Sequence, residues 1–375
     1  MLLPFFNKKK SKKGLIGVDF QPGRIAIAHI FHDLKAGDKP ELKQCVFANI
    51  APDVTGDMGV VSTALSKAAQ SFPVSQFFCN SSIENTAYEL LLIDSPNVES
   101  SELRQAVRWR IKDQLPYHID DAVVDVFEIP GQQSSRAKLM YVVASQKQEI
   151  ERRIGQLKQA GMEIQAIDIY ELAQRNIAAI LPEDKDGIVM LRFNDNSGLL
   201  TITRNGILFL TRKIDFGLNR LAMFLNTGLN TGDEIELSLD EILEDTETES
   251  VSESAENELL AEVQEQKQYA TENPILNEQN KLIIDEVILE IQRSLDYYVS
   301  HFNQRAVTKI IFAPMVHEVP GVIDYIHDML GIKTEVLDFN KCLNMSKELN
   351  SELQARCFDA IGLALRQEIA QEKSA

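Results

Sequence analysis

The feature that most constrains the fold is a block of three strands and a helix that occurs twice along the chain. In the first block, which begins at Gly14, the apolar pattern predicts three strands and then a helix, over 14–20, 25–31, 41–50 and 60–72. In the second block, which begins at Gly187, it predicts the same elements in the same order, over 188–193, 199–203, 207–214 and 218–225. Residue identity between the blocks is negligible, so what repeats is the order of the elements. The repetition predicts two α/β halves of similar topology.

The region between the two blocks has a different pattern. Pro116 and Gly161 end two predicted helices, and two predicted strands lie between these helices. The predicted elements are a helix over 101–115, strands over 122–129 and 139–144, a helix over 147–160 and a strand over 163–169. This order predicts a small α/β subdomain inserted into the first half. The elements predicted after the second block are a long amphipathic helix over 284–302, a strand over 309–312 and a closing helix over 358–370.

The negative charge of the chain is concentrated in one segment. The formal net charge is −18, from 38 Lys and Arg against 56 Asp and Glu. Residues 231–280 contain 16 of the acidic residues and a single lysine, so the rest of the chain is close to neutral. Few aromatic residues and many Glu, Ser and Thr predict a disordered acidic insert over 233–279. The sequence has no basic stripe that could neutralise phosphates, which argues against nucleic-acid binding.

The cysteines and the N-terminus narrow the class of protein further. Four cysteines without a Cys-x-x-Cys pair, and six scattered histidines, give no zinc signature and indicate a reducing compartment. No stretch of sequence approaches the roughly 20 apolar residues needed to span a bilayer. At the N-terminus the apolar residues precede the lysines, which is the reverse of a secretory signal. The sequence therefore predicts a cytoplasmic protein without a metal site, and no Ser/His/Asp or Cys/His arrangement indicates another enzyme class.

Several stretches of the sequence resemble a known family. They lie at 102–109 (ELRQAVRW), 114–117 (QLPY), 160–161 with 167–169 (AG and IDI), 290–298 (EIQRSLDYY) and 360–366 (AIGLALR). In order and spacing they are similar to the PilM-like, actin-fold proteins of type IV pilus systems. Within that family they most resemble the members that serve mannose-sensitive haemagglutinin (MSHA) pili. The resemblance covers most of the chain apart from the acidic insert.

The resemblance implies an α/β, actin-like (ribonuclease H-like) fold of two halves, with a small α/β subdomain inserted in the first half. It divides the chain into a flexible N-terminal segment (1–13), the first half (14–98), the subdomain (99–165), a return to the first half (166–185), the second half (186–340) and a helical closure (341–375). It also implies a cytoplasmic protein at the inner face of the inner membrane. There it would bind the tail of a PilN-like inner-membrane protein and contact other proteins of the pilus assembly platform, with a homo-oligomer left open.

A fold of this kind implies ATP and magnesium held between the halves by two Asp-x-Gly hairpin turns and a run of glycines. Here Asp19 is kept, but Gln21 replaces the first glycine, and Pro22 after it has no N–H to donate. Arg192 replaces the aspartate of the second turn, and the glycine run becomes APMV at 313–316. The candidates for a residual nucleotide site are Asp19, Gln21, Asn194 (where the family has glycine) and Asp195. With all three motifs altered, we expect no cofactor and a catalytically silent scaffold, with an active magnesium-dependent ATPase as the alternative.

Two of these residues also have simpler interpretations. Asp19 could be a turn residue that accepts hydrogen bonds within its own hairpin. Arg192 could bind phosphate, but an arginine at a strand end is more often an ion-pair or surface residue. The sequence favours the simpler interpretation for both residues.

The resemblance implies that the partner tail carries a Leu-Leu-Pro motif and lies in a groove beside the inserted subdomain. The candidate residues for this groove are Trp109, Leu115, Pro116 and Tyr117. Trp109 falls at the edge of the apolar stripe of its helix. It is therefore either an aromatic residue at the rim of the core or an exposed anchor for a partner.

The chain also carries a tail-like segment of its own. Its residues are Leu2, Leu3, Pro4, Phe5 and Phe6, followed by five lysines up to Lys13. Three uses stay open: a frayed terminus, peripheral contact of residues 1–13 with an anionic membrane, and mimicry of the partner tail in the groove.

Overall fold

The computed structural model describes residues 11–32, 39–50, 58–99, 101–130, 132, 138–220, 278–316 and 321–367. The strands are β1 (Ser11–Gln21), β2 (Arg24–Phe31), β3 (Glu41–Asn49), β4 (Phe77–Ser82), β5 (Tyr88–Asp94), β6 (Ala122–Glu128), β7 (Leu139–Gln146), β8 (Ile164–Asp168), β9 (Ile188–Phe193), β10 (Gly198–Arg204), β11 (Ile207–Ile214), β12 (Lys309–Phe312), β13 (Lys333–Val336) and β14 (Asn344–Met345). The helices are α1 (Met58–Ala69), α2 (Leu103–Ile111), α3 (Lys147–Gln159), α4 (Tyr170–Ala178), α5 (Glu278–Phe302), α6 (Val322–Leu330), α7 (Phe339–Cys342), α8 (Ser351–Arg356) and α9 (Phe358–Ala364). The tail-like segment (Leu2, Leu3, Pro4, Phe5 and Phe6) and all but the last two residues of the acidic insert lie outside the described residues.

Each half is built on a sheet that combines antiparallel and parallel strands. The sheet of the first half has the order β14-β3-β2-β1-β4-β8, and that of the second half has the order β11-β10-β9-β12-β13. In both, three antiparallel strands are extended by parallel strands, β4 and β8 beside β1 and β12 and β13 beside β9. Asn205 and Gly206, both with positive φ, form the tight turn between β10 and β11. The predicted repetition and the actin-like α/β fold class are confirmed.

The inserted subdomain is a three-stranded sheet, β5-β7-β6, whose one face is covered by α2. Its predicted bounds of 99–165 are wrong at both ends. Strand β5, which the apolar pattern did not predict, lies within the range 14–98 expected for the first half but pairs with β7 of the subdomain. By contrast, α3 packs against α1, and β8 pairs with β4 of the first sheet. An apolar run predicts a strand but does not tell which sheet it joins. On the other side, the hydroxyl of Tyr141 donates to the carbonyl of Phe209 at 3.1 Å, so the subdomain contacts the second half.

Two helices, α4 and α9, lie between the sheets of the two halves. Their apolar residues form one core with the inner faces of both sheets, represented by Ala26 and Ile188. Helix α9 approaches β1 so closely that a Cβ on Gly17 would lie 1.9 Å from the carbonyl oxygen of Ala360. The outer faces are covered by α1 and α3 on the first sheet and by α5 and α6 on the second. The middle layer therefore joins the two halves through a shared core.

Some predicted bounds differ from the structure. Strand β1 begins at Ser11, which pairs with Phe77, three residues before the expected start of the first half at Gly14. Helix α2 ends at Ile111 and continues as a short 3-10 helix, and α9 ends at Ala364. Of the helix predicted after the second block, residues 218–220 are helical and the rest lies outside the described residues. Among the helices that the structure describes, none is long and apolar enough to cross a membrane.

Candidate functional site

The ends of β1 and β9 meet the start of α9 in the cleft between the halves. Asp19 on β1, Arg192 on β9 and Asp359 in the first turn of α9 are 1%, 6% and 1% exposed. The guanidinium of Arg192 forms an ion pair with the carboxylate of Asp359 through Nη2 and Oδ2. The interpretation of Arg192 as an ion-pair residue is therefore confirmed, and a surface position is wrong.

The same carboxylate oxygen also binds the first half. Gln21, at the end of β1, donates from Nε2 to Oδ2 of Asp359 at 3.0 Å. Oδ2 of Asp359 thus accepts from β9 of the second half and from the β1–β2 hairpin of the first. Two aromatic rings, of Tyr170 and Phe358, each lie 5.6 Å from the guanidinium carbon of Arg192. These contacts fix Arg192 in the cleft.

Asp19 is held by a strand on the other side of β1. Its Oδ1 accepts from the hydroxyl of Ser82 on β4 at 2.7 Å, and that hydroxyl in turn accepts from the backbone N–H of Phe20 at 3.3 Å. The interpretation that Asp19 bonds within its own hairpin turn is therefore wrong for the side chain, because its partner is on β4. Asp19 is a buried carboxylate that faces α9.

Burial and mutual repulsion act on these carboxylates. Burial, together with the nearby charge of Asp19, raises the pKa of Asp359 to about 7, and the attraction of Arg192 opposes this shift. Oδ2 of Asp19 and Oδ1 of Asp359 are buried without a hydrogen-bond partner among the described groups. Within the described part of the chain, no cluster of three or more His, Cys, Asp or Glu could hold a metal ion.

The second turn is covered by the segment that follows β11. The carbonyl of Asn194 accepts from the backbone N–H of Leu218 at 2.9 Å, and that of Asp195 accepts from Asn219 at 2.8 Å. A Cβ on Gly217 would lie 2.4 Å from backbone atoms of this turn. The structure therefore brings Asp19 and Gln21 to Asp359, whereas Asn194 and Asp195 contact residues 218–219.

The region beside the third motif is filled by apolar side chains. The ring of Phe193 lies 5.7 Å from that of Phe216 and 6.1 Å from that of Phe312. Between these rings and Met315 remains a cavity of about 20 Å³, room for roughly one water molecule. An adenosine does not fit in this cavity, and in the cleft the guanidinium of Arg192 pairs with Asp359. Among the described residues, an arginine in place of the second aspartate and this apolar filling do not fit a magnesium nucleotide.

A larger cavity lies on the outer side of the first sheet, next to the β1–β2 hairpin. Its volume is about 280 Å³. Apolar side chains form part of the wall, and polar ones form the rest. The apolar residues are Phe20, Pro22, Ile25, Ile50 and Val61, and the polar ones are Gln21, Arg24, Glu84, Arg152, Arg153 and Gln156. Because Glu84, Arg152 and Arg153 flank the inserted subdomain, the cavity lies where the subdomain joins the first half.

Arg153 is the most constrained residue of this cavity. It is 1% exposed, its guanidinium lies 3.6 Å from the centre of the Phe20 ring, and it donates to Oε1 of Gln156 at 3.2 Å. Glu84 lies 3.5 Å from Nη2, outside good hydrogen-bond geometry, and Nε and Nη2 have no hydrogen-bond partner. Burial lowers the pKa of Arg153 to about 10. An acceptor group in the cavity would satisfy these donors.

The residues predicted to bind a partner lie in different environments. Trp109 is 67% exposed on the face of α2 opposite to the buried Val107 and Ile111, so the core-rim interpretation is wrong. Its ring contacts the ammonium group of Lys112 at 5.3 Å. Leu115 packs against the core of the subdomain, and Tyr117 is half-buried with Pro116 exposed between them. Burial raises the pKa of Tyr117, and its hydroxyl has no partner among the described groups.

Sequence reasoning missed three residues of these sites. Asp359 is an isolated carboxylate at the start of an apolar helix, Ser82 ends a strand that was not predicted, and Arg153 is a buried arginine on an otherwise polar helix. For Asp359 a signal was available, because a charge inside an apolar run needs a buried partner. For Ser82 and Arg153 the local pattern gave none.

One family model matches more than half of the chain. The family model described as "Type IV pilus assembly protein PilM" matches residues 61–267. A solved "PilM-PilN type IV pilus biogenesis complex" matches at 16% identity and TM-score 0.65, covering 94% of this chain and 97% of that one. EutJ, an ethanolamine utilization protein from Carboxydothermus hydrogenoformans, matches at 10% identity and TM-score 0.42, with 95% and 90% covered. MreB 5 of Spiroplasma citri bound to AMPPNP matches at 9% identity and TM-score 0.41, with 93% and 95% covered. No curated protein sequence matches the chain.

Proposed function

Because the chain belongs to the PilM family of type IV pilus assembly proteins, we propose that it is a catalytically silent scaffold of a pilus assembly platform. In this proposal it works in the cytoplasm at the inner face of the inner membrane and binds the cytoplasmic tail of a PilN-like protein. The motifs at 102–117 and 360–366 resemble those of MshI, which favours an MSHA-type pilus. Contacts with other platform proteins and a homo-oligomer remain compatible with this role.

The main evidence against catalysis is the Arg192–Asp359 ion pair. A nucleotide-binding cleft of this fold needs a carboxylate free to orient hydrated magnesium and space for phosphates next to the hairpin turns. Here an arginine fills that position, and apolar side chains fill the space beside the third motif. The alternative, an active magnesium-dependent ATPase, depends on Asp19 alone.

Two properties of the larger cavity favour it as the tail-binding site. Its apolar wall can take the leucine side chains of a Leu-Leu-Pro segment, and proline keeps such a segment extended. The unsatisfied N–H groups of Arg153 can donate to backbone carbonyls of the same segment. The solved complex of PilM with PilN supports a partner of this kind. The exposed Trp109 is the competing anchor.

The nucleotide question is tested with a fluorescent ATP analogue and magnesium. We expect neither binding nor phosphate release above background. Magnesium-dependent turnover that disappears in Asp19→Ala would establish the ATPase instead.

Tail binding is tested by fluorescence anisotropy with a labelled synthetic peptide that contains Leu-Leu-Pro. We expect Arg153→Met to weaken binding by about tenfold, as for loss of hydrogen bonds from a charged donor. Arg110→Met on α2 is the matched control, because its guanidinium lies on the surface of the subdomain. If Trp109→Ala weakens binding and Arg153→Met does not, the site is on α2.

A further inference from the structure

We propose that Arg192, Asp359 and Gln21 form an internal clamp that replaces a bound nucleotide as the link between the two halves. The inference rests on the proposed absence of nucleotide binding and does not depend on tail binding. The clamp keeps the cleft closed whether or not nucleotide is present.

The three residues come from three different elements of the molecule. Arg192 ends β9 of the second half, Gln21 ends β1 of the first half, and Asp359 begins α9 of the middle layer. One oxygen, Oδ2 of Asp359, accepts from both of the other side chains. In an actin-like protein with nucleotide, the phosphates and magnesium make the corresponding link between hairpin turns. Here side chains of the chain itself make the link.

The burial of the clamp makes the loss of either charged partner costly. Both partners are less than 7% exposed, so water competes little for the ion pair and salt screens it little. The rings of Tyr170 and Phe358 hold the guanidinium from two sides, and the hydroxyl of Tyr170 donates to the carbonyl of Phe20 at 3.1 Å. Opening of the cleft would leave a buried charge without its partner. The closed arrangement is therefore favoured without any ligand.

The clamp also reaches the proposed tail site. Gln21 is part of the wall of the larger cavity and also donates a hydrogen bond to Asp359. The hairpin tip that forms one wall of this cavity is thereby fixed relative to α9. We infer that the cavity is preformed in the free protein, which lowers the ordering cost of binding an extended segment.

Hydrogen exchange measured by mass spectrometry on the full chain tests the clamp. We expect Arg192→Met to speed exchange by about tenfold at both the β1–β2 and the β9–β10 turns, because opening of the cleft becomes more frequent. The matched control is Arg212→Met, which removes the 2.8 Å ion pair with Glu290 inside the second half. The control should leave exchange at the β1–β2 turn unchanged.

A double variant keeps the test decisive if the single variant does not fold. Arg192→Met with Asp359→Asn removes both charges, so no unpaired buried charge is left, yet the link between the halves is gone. Exchange at the two turns equal to that of the wild type in the folded double variant would overturn the clamp alone. Protection of both turns by magnesium ATP in the wild type would overturn the clamp and the proposed function together.

Discussion

The close approach of β1 to α9 predicts a large effect of a single methyl group at Gly17. In Gly17→Ala the new Cβ would lie 1.9 Å from the carbonyl oxygen of Ala360 and 2.6 Å from the backbone nitrogen of Ala364. Ordinary contact with these atoms begins near 3.4 Å, so α9 must recede from β1 by about 1.5 Å. Both obstructing groups are backbone, and no side-chain rotation can relieve the overlap. Overpacking of this kind costs about 1–3 kcal/mol, and we expect the upper end because α9 belongs to the shared core.

The matched control is Gly14→Ala on the same strand. There the new Cβ would lie 3.0 Å from the carbonyl oxygen of Ile30 and 3.1 Å from the rings of Phe31 and Phe77, contacts that small shifts relieve. Both substitutions restrict the unfolded chain equally, so the difference between them isolates the clash. Thermal unfolding followed by circular dichroism should show a midpoint about 6 °C lower for Gly17→Ala than for Gly14→Ala. Equal midpoints would refute the argument that displacing α9 from β1 is costly.

Three further outcomes are expected. Deletion of 233–279 should leave the thermal midpoint nearly unchanged, because so acidic a segment buries little apolar surface; a fall of more than about 4 °C would contradict this. Burial raises the pKa of Glu171, to which the Tyr88 hydroxyl donates at 2.7 Å, so the folded state keeps a proton that the unfolded chain loses above about pH 4.5. The free energy of unfolding of the wild type should therefore fall relative to that of Glu171→Gln as pH rises from 4.5, by up to about 1.4 kcal/mol per pH unit. If urea unfolding gives the two proteins the same pH dependence, this prediction is wrong. Trp109→Ala should change the free energy of unfolding by less than about 0.5 kcal/mol, because the ring is exposed, and a larger loss in urea titrations would place that ring in the core.

The parts of the fold that could be predicted are those written in local patterns. The two hairpins follow from apolar runs separated by turn residues, and these runs also placed Asp19 and Arg192 at strand ends. Strand β4 was missed because its second half, Asn80 to Ser82, is polar. Two of these buried side chains find distant partners: Asn80 donates to the carbonyl of Leu363 at 3.1 Å, and Ser82 donates to Asp19 at 2.7 Å. From the sequence alone, a polar residue predicts a loop, because the distant partner that allows its burial is unknown.

The candidate site was predictable only in part for the same reason. The altered motifs indicated that a nucleotide would be poorly held, but not what would occupy the cleft. Asp359 meets Arg192 and Gln21 only after the chain has folded, and no local period links these residues. Trp109 is a different case. It lies between Val107 and Ile111 on a helix with 100° per residue, so its outward position could have been derived from the sequence.

The pairing of the chain's last described segment with its first half has a consequence for biosynthesis. Strand β14 pairs with the start of β3, and α9 packs on β1, so the first sheet acquires its edge and its inner layer only when the last part of the chain has been made. Until then, a nascent chain that emerges from the ribosome exposes the apolar inner face of that sheet, represented by Ala28 and Ile30. Contacts this distant in sequence form slowly, and exposed sheet faces attract chaperones or other nascent chains. A stop codon just before α7 would leave a polypeptide that is nearly full length and yet unable to complete the first half.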